Sequence, residues 1–330
     1  MSEETEEQVV VRNDSFELAS VFSFSLNQRI LPHCATSARI EPDTRETLVV
    51  VSASNKIILR NNESSLHIPE KIKCITTVPF GQGYDYIVVG TESQIMVYDF
   101  HQNSTVFRRD IPDGVHCFIV GKLGDRDRMI LCGGNCAIWG FDETGKDVYW
   151  TVTGDSVTTM CFCDFDGDGE MELIIGSPDS ELRIFKNDLM RAELMETDAI
   201  VVLQGFDKNR FGYALANGTV GMYNQDQRLW RIKSKSVITA ILPYPNDDMV
   251  TCIWNSGKID VRSISENGEV VCRDSLSAGQ NVIAGFVSRI NAEDEVEFTV
   301  VTADGKDLPS LPRQAESMGK KDEDHINQSL

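Results

Sequence analysis

The densest chemistry in the chain lies in nine residues, Asp164-Phe165-Asp166-Gly167-Asp168-Gly169-Glu170-Met171-Glu172. Acids at loop positions 1, 3, 5 and 9, with glycine at 6, converge oxygen ligands on one hard cation. Asp164, Asp166, Asp168 and Glu172 would give side-chain oxygens and Glu170 its backbone carbonyl, a set suited to a structural calcium ion. Position twelve is Ile175, where an EF-hand needs a bidentate Glu. The flanks, Thr158–Phe162 and Leu173–Ile175, read as strands rather than helices. A solvated acidic turn is the plain alternative, because Asp and Gly suit turns without any metal. Against it, four carboxylates so close together repel one another when nothing neutralises them.

Arg228-Leu229-Trp230-Arg231-Ile232-Lys233-Ser234-Lys235 is the one concentrated basic stretch. Cations alternating with apolar residues fit an outward-facing strand edge. Such charge blocks strand-on-strand aggregation, or, through Arg228, Arg231, Lys233 and Lys235, docks an acidic partner or a phosphoinositide. Trp139, Trp150 and Trp254 lie on strands and read as packing residues. The nine cysteines form no CxxC pair. A zinc site from Cys132, Cys136, Cys161, Cys163 and His116 is imaginable, but buried thiols acting as small apolar residues fit better. No G-x-S-x-G elbow, Walker loop, HExxH or G-x-G-x-x-G occurs, and five scattered histidines nominate no base, so no enzyme is expected.

The elements that hold these residues repeat. Apolar strand, short turn and second strand recur at Leu48–Arg60, Tyr86–Tyr98, Met129–Phe141, Leu173–Phe185, Phe211–Tyr223, Met249–Arg262 and Phe298–Ser310. The step is about 42 residues, the period of a propeller blade. Further runs between the copies, such as Val106–Arg109 with Val115–Val120, make roughly four strands per unit. Phe185–Thr197, the best helical candidate, reads as strand, turn and strand. The expectation is an all-β, seven-bladed β-propeller over residues 20–310. Residues 1–19 would be an acidic disordered start and 311–330 a polar disordered tail. Val21–Leu26 alternates cleanly, so a strand near residues 20–27 should close the ring as the outer strand of the last blade.

With 31 Lys plus Arg against 51 Asp plus Glu, the net charge is −20. That field opposes nucleic acid and anionic membrane as general partners. No run approaches the ~18 apolar residues of a membrane span. The acidic start lacks the basic, apolar pattern of a secretory signal. The expectation is a cytosolic protein, whose N-x-S/T triplets, such as Asn62-Glu63-Ser64, stay unglycosylated and whose odd cysteine count fits free thiols.

Several strings are specific: Gly133–Ala137, Trp150–Asp155, Cys163–Gly169, Arg210–Leu215, Asn217–Gly221 and Trp230–Lys235. In this order they resemble the amino-terminal propeller of the Bardet–Biedl syndrome protein 2 family, over roughly Val21–Asp307. The resemblance implies a non-enzymatic scaffold or adaptor subunit of the BBSome. That coat-like complex carries membrane receptors to and from cilia and is recruited to membranes by an Arf-like GTPase. Implied partners are the sister propeller subunits, Bardet–Biedl syndrome proteins 7 and 9, with ciliary membrane cargo reached indirectly. Implied locations are the cytoplasm, cilium and ciliary base (basal body), peripheral to membrane. Family members continue into a coiled coil and further domains, whereas this sequence ends at Leu330. A fragment, a short isoform or a truncated gene model are the readings of that end, with coiled-coil contacts missing. The acidic loop is similar to the calcium hairpins of integrin-type propellers. The sixth-blade turn Tyr244–Asp248 is too short to repeat it, so a metal is expected only in the fourth blade. A stand-alone calcium-stabilised recognition propeller of integrin type is the alternative, and a propeller hydrolase or lyase would need a channel cluster that no residues supply.

Overall fold

A computed structural model of the chain describes residues 16–20, 24–60, 65–244, 248–265, 267–276, 281–290 and 296–314. Among these there are twenty-nine strands and no helix. β1 (Phe16–Ser20) and β2 (Phe24–Ser25) belong with the last strands of the chain. The first regular sheet is β3 (Ile30–Ala38), β4 (Thr47–Ser52), β5 (Lys56–Leu59) and β6 (Ser65–His67). The second is β7 (Ile72–Val78), β8 (Tyr86–Thr91), β9 (Gln94–Asp99) and β10 (Ser104–Asp110). The third is β11 (Cys117–Leu123), β12 (Arg126–Gly133), β13 (Ala137–Phe141) and β14 (Asp147–Val152). The fourth is β15 (Thr159–Cys163), β16 (Glu172–Gly176), β17 (Glu181–Lys186) and β18 (Leu189–Met195). The fifth is β19 (Ile200–Phe206), β20 (Arg210–Leu215), β21 (Thr219–Asn224) and β22 (Gln227–Lys233). The sixth is β23 (Ile238–Pro243), β24 (Met249–Trp254), β25 (Lys258–Ser263) and β26 (Val270–Ser275). β27 (Val282–Ile290), β28 (Val296–Thr302) and β29 (Lys306–Gln314) follow.

Every sheet is antiparallel, and the six four-stranded sheets have their strands in chain order from the inside out. The first strands of successive sheets lie side by side: β3 against β7, β11 against β15, β23 against β27, and β27 back against β3. This is a β-propeller. The seven repeats read in the sequence are its middle hairpins, β4–β5 through β28–β29. Phe185–Thr197 is strand, turn and strand, as expected.

Seven like blades are not what forms. Six sheets repeat the four-stranded unit, and the remaining one has five strands, ordered β1-β29-β28-β27 with β2 also on β29. Five register pairs, Phe16↔Gln314 through Ser20↔Ser310, bind the start of the chain to its end. Residues 21–23 of the expected closing strand lie outside the described residues, as do 1–15, 315–330 and the triplet at 62–64. Strand structure nonetheless reaches Phe16 and Gln314, so the expected limits at 20 and 310 fall inside it. The cause is compositional. Glu17 sits in an acidic run, and Pro309 and Pro312 demote a strand reading because proline cannot donate to a ladder. With partners on both sides, β29 holds its place despite them.

Packing explains the continuous apolar runs. Val49–Val51, Ile87–Val89 and Leu173–Ile175 are almost wholly buried, because the flanking blades cover both faces of each middle strand. Ile174 and Leu182 of the fourth sheet share one core with Phe211 and Tyr213 of the fifth. Outer strands such as β10 and β18 stay mostly exposed. Trp254 is fully buried and Trp139 partly so, but Trp150, expected to pack, is 54% exposed on outer strand β14. Its ring meets only the edge of Trp139, with centroids 6.3 Å apart. Six thiols are buried and only Cys136 is exposed. Burial pushes Cys34, Cys163 and Cys252 up to about 12, so these are inert packing groups.

Candidate functional site

The acidic loop joins β15 to β16 on the face where the first strands of the sheets end. Its turn is held by its own acids. Gly167 N–H and Gly169 N–H donate to the two Asp164 carboxylate oxygens at 2.9 and 3.1 Å, and Glu170 N–H donates to Asp168 Oδ1 at 2.9 Å. Glu172, at the first position of β16, is only 1% exposed, and its Oε2 accepts Phe165 N–H at 2.7 Å. Oxygens of Asp164, Asp166 and Glu172 lie within 4.8 Å of one another.

Sequence reading missed the cation already there. Lys186 ends β17, and the β16–β17 register that pairs Leu173 with Phe185 brings it opposite Glu172. Its Nζ lies 2.8 Å from Asp166 Oδ2 and 3.1 Å from Glu172 Oε1, and it also pairs with Asp168. The contacts to Asp166 and Asp168 push the Lys186 pKa up, and the lysine holds Asp168 below the usual carboxylate range. The repulsion expected of an empty loop is thus relieved from within. Asp164, Asp166 and Glu172 come together. Asp168 joins them through Lys186, and the Glu170 side chain faces solvent. The Lys186 ammonium therefore occupies the place between Asp166 and Glu172.

The basic stretch is β22, the outer strand of its sheet, with the predominantly exposed pattern of an edge. Its arginines are less available than its sequence implies. Arg228 donates to Glu196 Oε1 at 2.6 Å and to the Tyr223 hydroxyl at 2.8 Å. Arg231 approaches the same buried carboxylate at 4.0 Å. Burial and Glu196 push Tyr223 up to about 12. Glu196 follows β18 of the preceding blade, so these contacts tie two blades together. Among the four cations expected to dock a partner, Lys233 and Lys235 extend beyond this anchored pair.

A third cluster has no counterpart in the sequence reading. Asp260 on β25 is fully buried and meets three cations: Arg262 at 2.6 Å, Arg273 at 2.7 Å and Lys258 at 3.0 Å. Lys258 and Arg262 also lie over the Trp254 ring, 4.3 and 5.8 Å from its centroid. Alternate positions 258, 260 and 262 share one strand face, and that periodicity was the available signal.

Residues 58–121 match the family model for the N-terminal region of ciliary BBSome complex subunit 2, and residues 159–262 match the model for its middle region. Over 294 residues the chain is 54% identical to BBSome complex member bbs-2 of Caenorhabditis elegans, a match covering 89% of this chain and 40% of that relative. It is 35% identical over 340 residues to BBSome complex member BBS2 of Homo sapiens, covering 95% of this chain and 47% of that relative. The chain therefore spans less than half the length of these relatives. A chain in the crystal structure of BBS1N in complex with ARL6DN, soaked with lead, superposes with TM-score 0.75 at 14% identity, covering 89% of this chain and 96% of that one. A chain of the Mitotic Checkpoint Complex gives 0.71 at 11% identity, covering 94% and 96%. At such identities the structural likeness is one of fold. The sequence likeness reaches further, and by it the chain belongs to the BBSome complex subunit 2 family.

Proposed function

We propose that the chain is a non-enzymatic scaffold or adaptor module of the BBSome, presenting propeller surfaces to other subunits during receptor traffic to and from cilia. The carrying observation is the identity to BBSome members along nearly the whole described propeller. Sister propeller subunits, Bardet–Biedl syndrome proteins 7 and 9, are the partners the reading favours, with an Arf-like GTPase and ciliary cargo reached through the complex. Cytoplasm, cilium and ciliary base are the matching locations, and no helix among the described residues is long and apolar enough to cross a membrane. The five-stranded sheet acts as a seventh blade, a reading supported by the position of β27 between β23 and β3. Affinity capture of the tagged chain from ciliated cells tests the subunit reading.

The acidic loop is part of this proposal as a structural cation site. Asp164, Asp166, Asp168 and Glu172, with the Glu170 carbonyl, would hold calcium once Lys186 leaves their centre. Bound calcium would supply only charge neutralisation and a fixed loop. Replacing Lys186 by methionine removes the competitor. Calcium should then raise the melting temperature at about tenfold lower concentration than in wild type, a shift of ~1.4 kcal/mol in binding. Asp166→Ala with Asp168→Ala should abolish the rise. A Lys186→Met protein indifferent to millimolar calcium would leave the loop as a lysine-closed turn.

A further inference from the structure

Beside the acidic loop lie two cavities, the second sharing Glu170 and Lys186 with it. The first, of about 340 Å³, is lined by Phe162, Phe206, Tyr244, Met249 and Met171, with Lys122 and Asp207 at its edge. Its lining comes from the downstream ends of β11, β15, β19 and β23, so it opens on the same propeller face as the loop. Two glycines, Gly205 in the lining and Gly121 behind it, let Phe162 seat closely. A Cβ on Gly205 would fall 1.8 Å from the Phe162 carbonyl oxygen, and one on Gly121 would fall 2.6 Å from the Phe162 ring. The aromatic floor is therefore fixed before anything arrives, which lowers the entropy cost of binding.

The second cavity, of about 640 Å³, is polar and includes Asp125, Arg126, Glu170, Lys186 and Asp188 in its lining. Three acids face two cations there, and Lys186 is already engaged by Asp166 and Glu172. Met171 lines both cavities and is 46% exposed. The backbone at Glu170-Met171 is thus a ridge with an apolar cleft on one side and an acidic hollow on the other. An exposed methionine beside an aromatic cleft is a surface suited to adaptable apolar contact.

We propose that this paired site binds an extended segment of a partner protein bearing an aromatic or large aliphatic anchor next to basic residues. The anchor enters the Phe162–Phe206–Tyr244 cleft. The neighbouring cation crosses the Met171 ridge to Glu170, Asp125 and Asp188. Charge decides the occupant: the five loop carboxylates, with Asp125, Asp188 and Asp207, outnumber Lys122, Arg126 and Lys186 around the two cavities, so an acidic segment or an anionic lipid headgroup would be repelled. Apolar anchors in preformed pockets carry most of the energy in such interfaces.

Fluorescence anisotropy with four labelled ten-residue peptides tests this on the full chain. The peptides carry one Phe or Ala beside two Lys or two Glu. The Phe–Lys peptide should bind at least about tenfold more tightly than the Ala–Lys or Phe–Glu peptides, a difference of ~1.4 kcal/mol. Met171→Ser should weaken the Phe–Lys peptide and spare any residual Lys dependence. Glu170→Lys should erase the preference for Lys over Glu. Both changes fall on the exposed loop, and an unchanged melting temperature will show that the fold survives. Equal binding of the Phe–Lys and Phe–Glu peptides, no binding at millimolar peptide, or affinity undiminished in Met171→Ser would each overturn the proposal, as would preferential binding to phosphatidylserine vesicles over the Phe–Lys peptide. None of these outcomes depends on BBSome membership.

Discussion

Asp260→Ala is expected to lose about 3–5 kcal/mol of unfolding free energy, the cost of leaving buried charges without their counter-ion. Asp260 is inaccessible to water, and its two oxygens accept from Arg273 Nε and Arg262 Nη2 while Lys258 stands at 3.0 Å. Without the carboxylate, three cations are left with no counter-charge, two of them, Lys258 and Arg262, over one indole ring. Arg262 suffers most, because it is itself buried and keeps only the Gly268 carbonyl, at 2.7 Å. Arg273 is exposed and relaxes into solvent. Asp260→Asn keeps the shape and one acceptor, so it should lose less than the alanine variant. The pH dependence has a definite sign. Burial opposes ionisation of Asp260, yet Arg273, Lys258 and Arg262 hold its pKa below the ordinary 3.8. A depressed carboxylate contributes stability that is complete above the unfolded value and lost as pH falls through the folded one. Denaturant titrations of wild type and Asp260→Asn should therefore differ at pH 7 and converge below 3.8. A loss under 1 kcal/mol for Asp260→Ala, or a gap that ignores pH, would contradict the role assigned to the cluster.

Deleting residues 1–20 should lower the melting temperature by about 10 °C. Five register pairs join β1 to β29. At a net ~1 kcal/mol per hydrogen bond the loss is roughly 5 kcal/mol, and about 2–4 °C follows each kcal/mol in a domain of this order of size. The deletion also bares the long edge of β29, a template for association. Light scattering should therefore rise as the melting temperature falls. Deleting only residues 1–15 leaves every described strand in place and is the matched control. A 1–20 deletion that melts like the control would show that β1 does not close the propeller.

What the sequence makes legible is local. The hairpins announce themselves because apolar strand, turn and strand fall within a dozen residues, as in Tyr86–Tyr98. The loop at Asp164–Glu172 is a contiguous string, and β22 shows its edge character through alternating cations. What stays hidden depends on register. Lys186 becomes the partner of Glu172 only when β16 and β17 are paired. Arg228 becomes an anchor rather than a docking cation only when the blade holding Glu196 is laid beside it. Arg273 falls opposite Asp260 within a hairpin whose register slips between Val261 and Arg262, so counting residues alone misplaces its neighbours. Trp150 reads as core by residue type, and only the outer position of β14 exposes it. The closing contact holds Phe24–Ser25 within the expected range 20–27 and extends back over Phe16–Ser20, which an acid-rich run conceals.

The most direct measurement is affinity capture of the tagged 330-residue chain from ciliated cells, with co-purifying proteins identified by mass spectrometry. Recovery of other BBSome subunits is expected, with Bardet–Biedl syndrome proteins 7 and 9 foremost. Lys233→Glu with Lys235→Glu should lower that recovery while leaving the melting temperature unchanged. A chain shown to be folded that brings down no BBSome subunit would contradict the assignment of an assembly surface to this propeller.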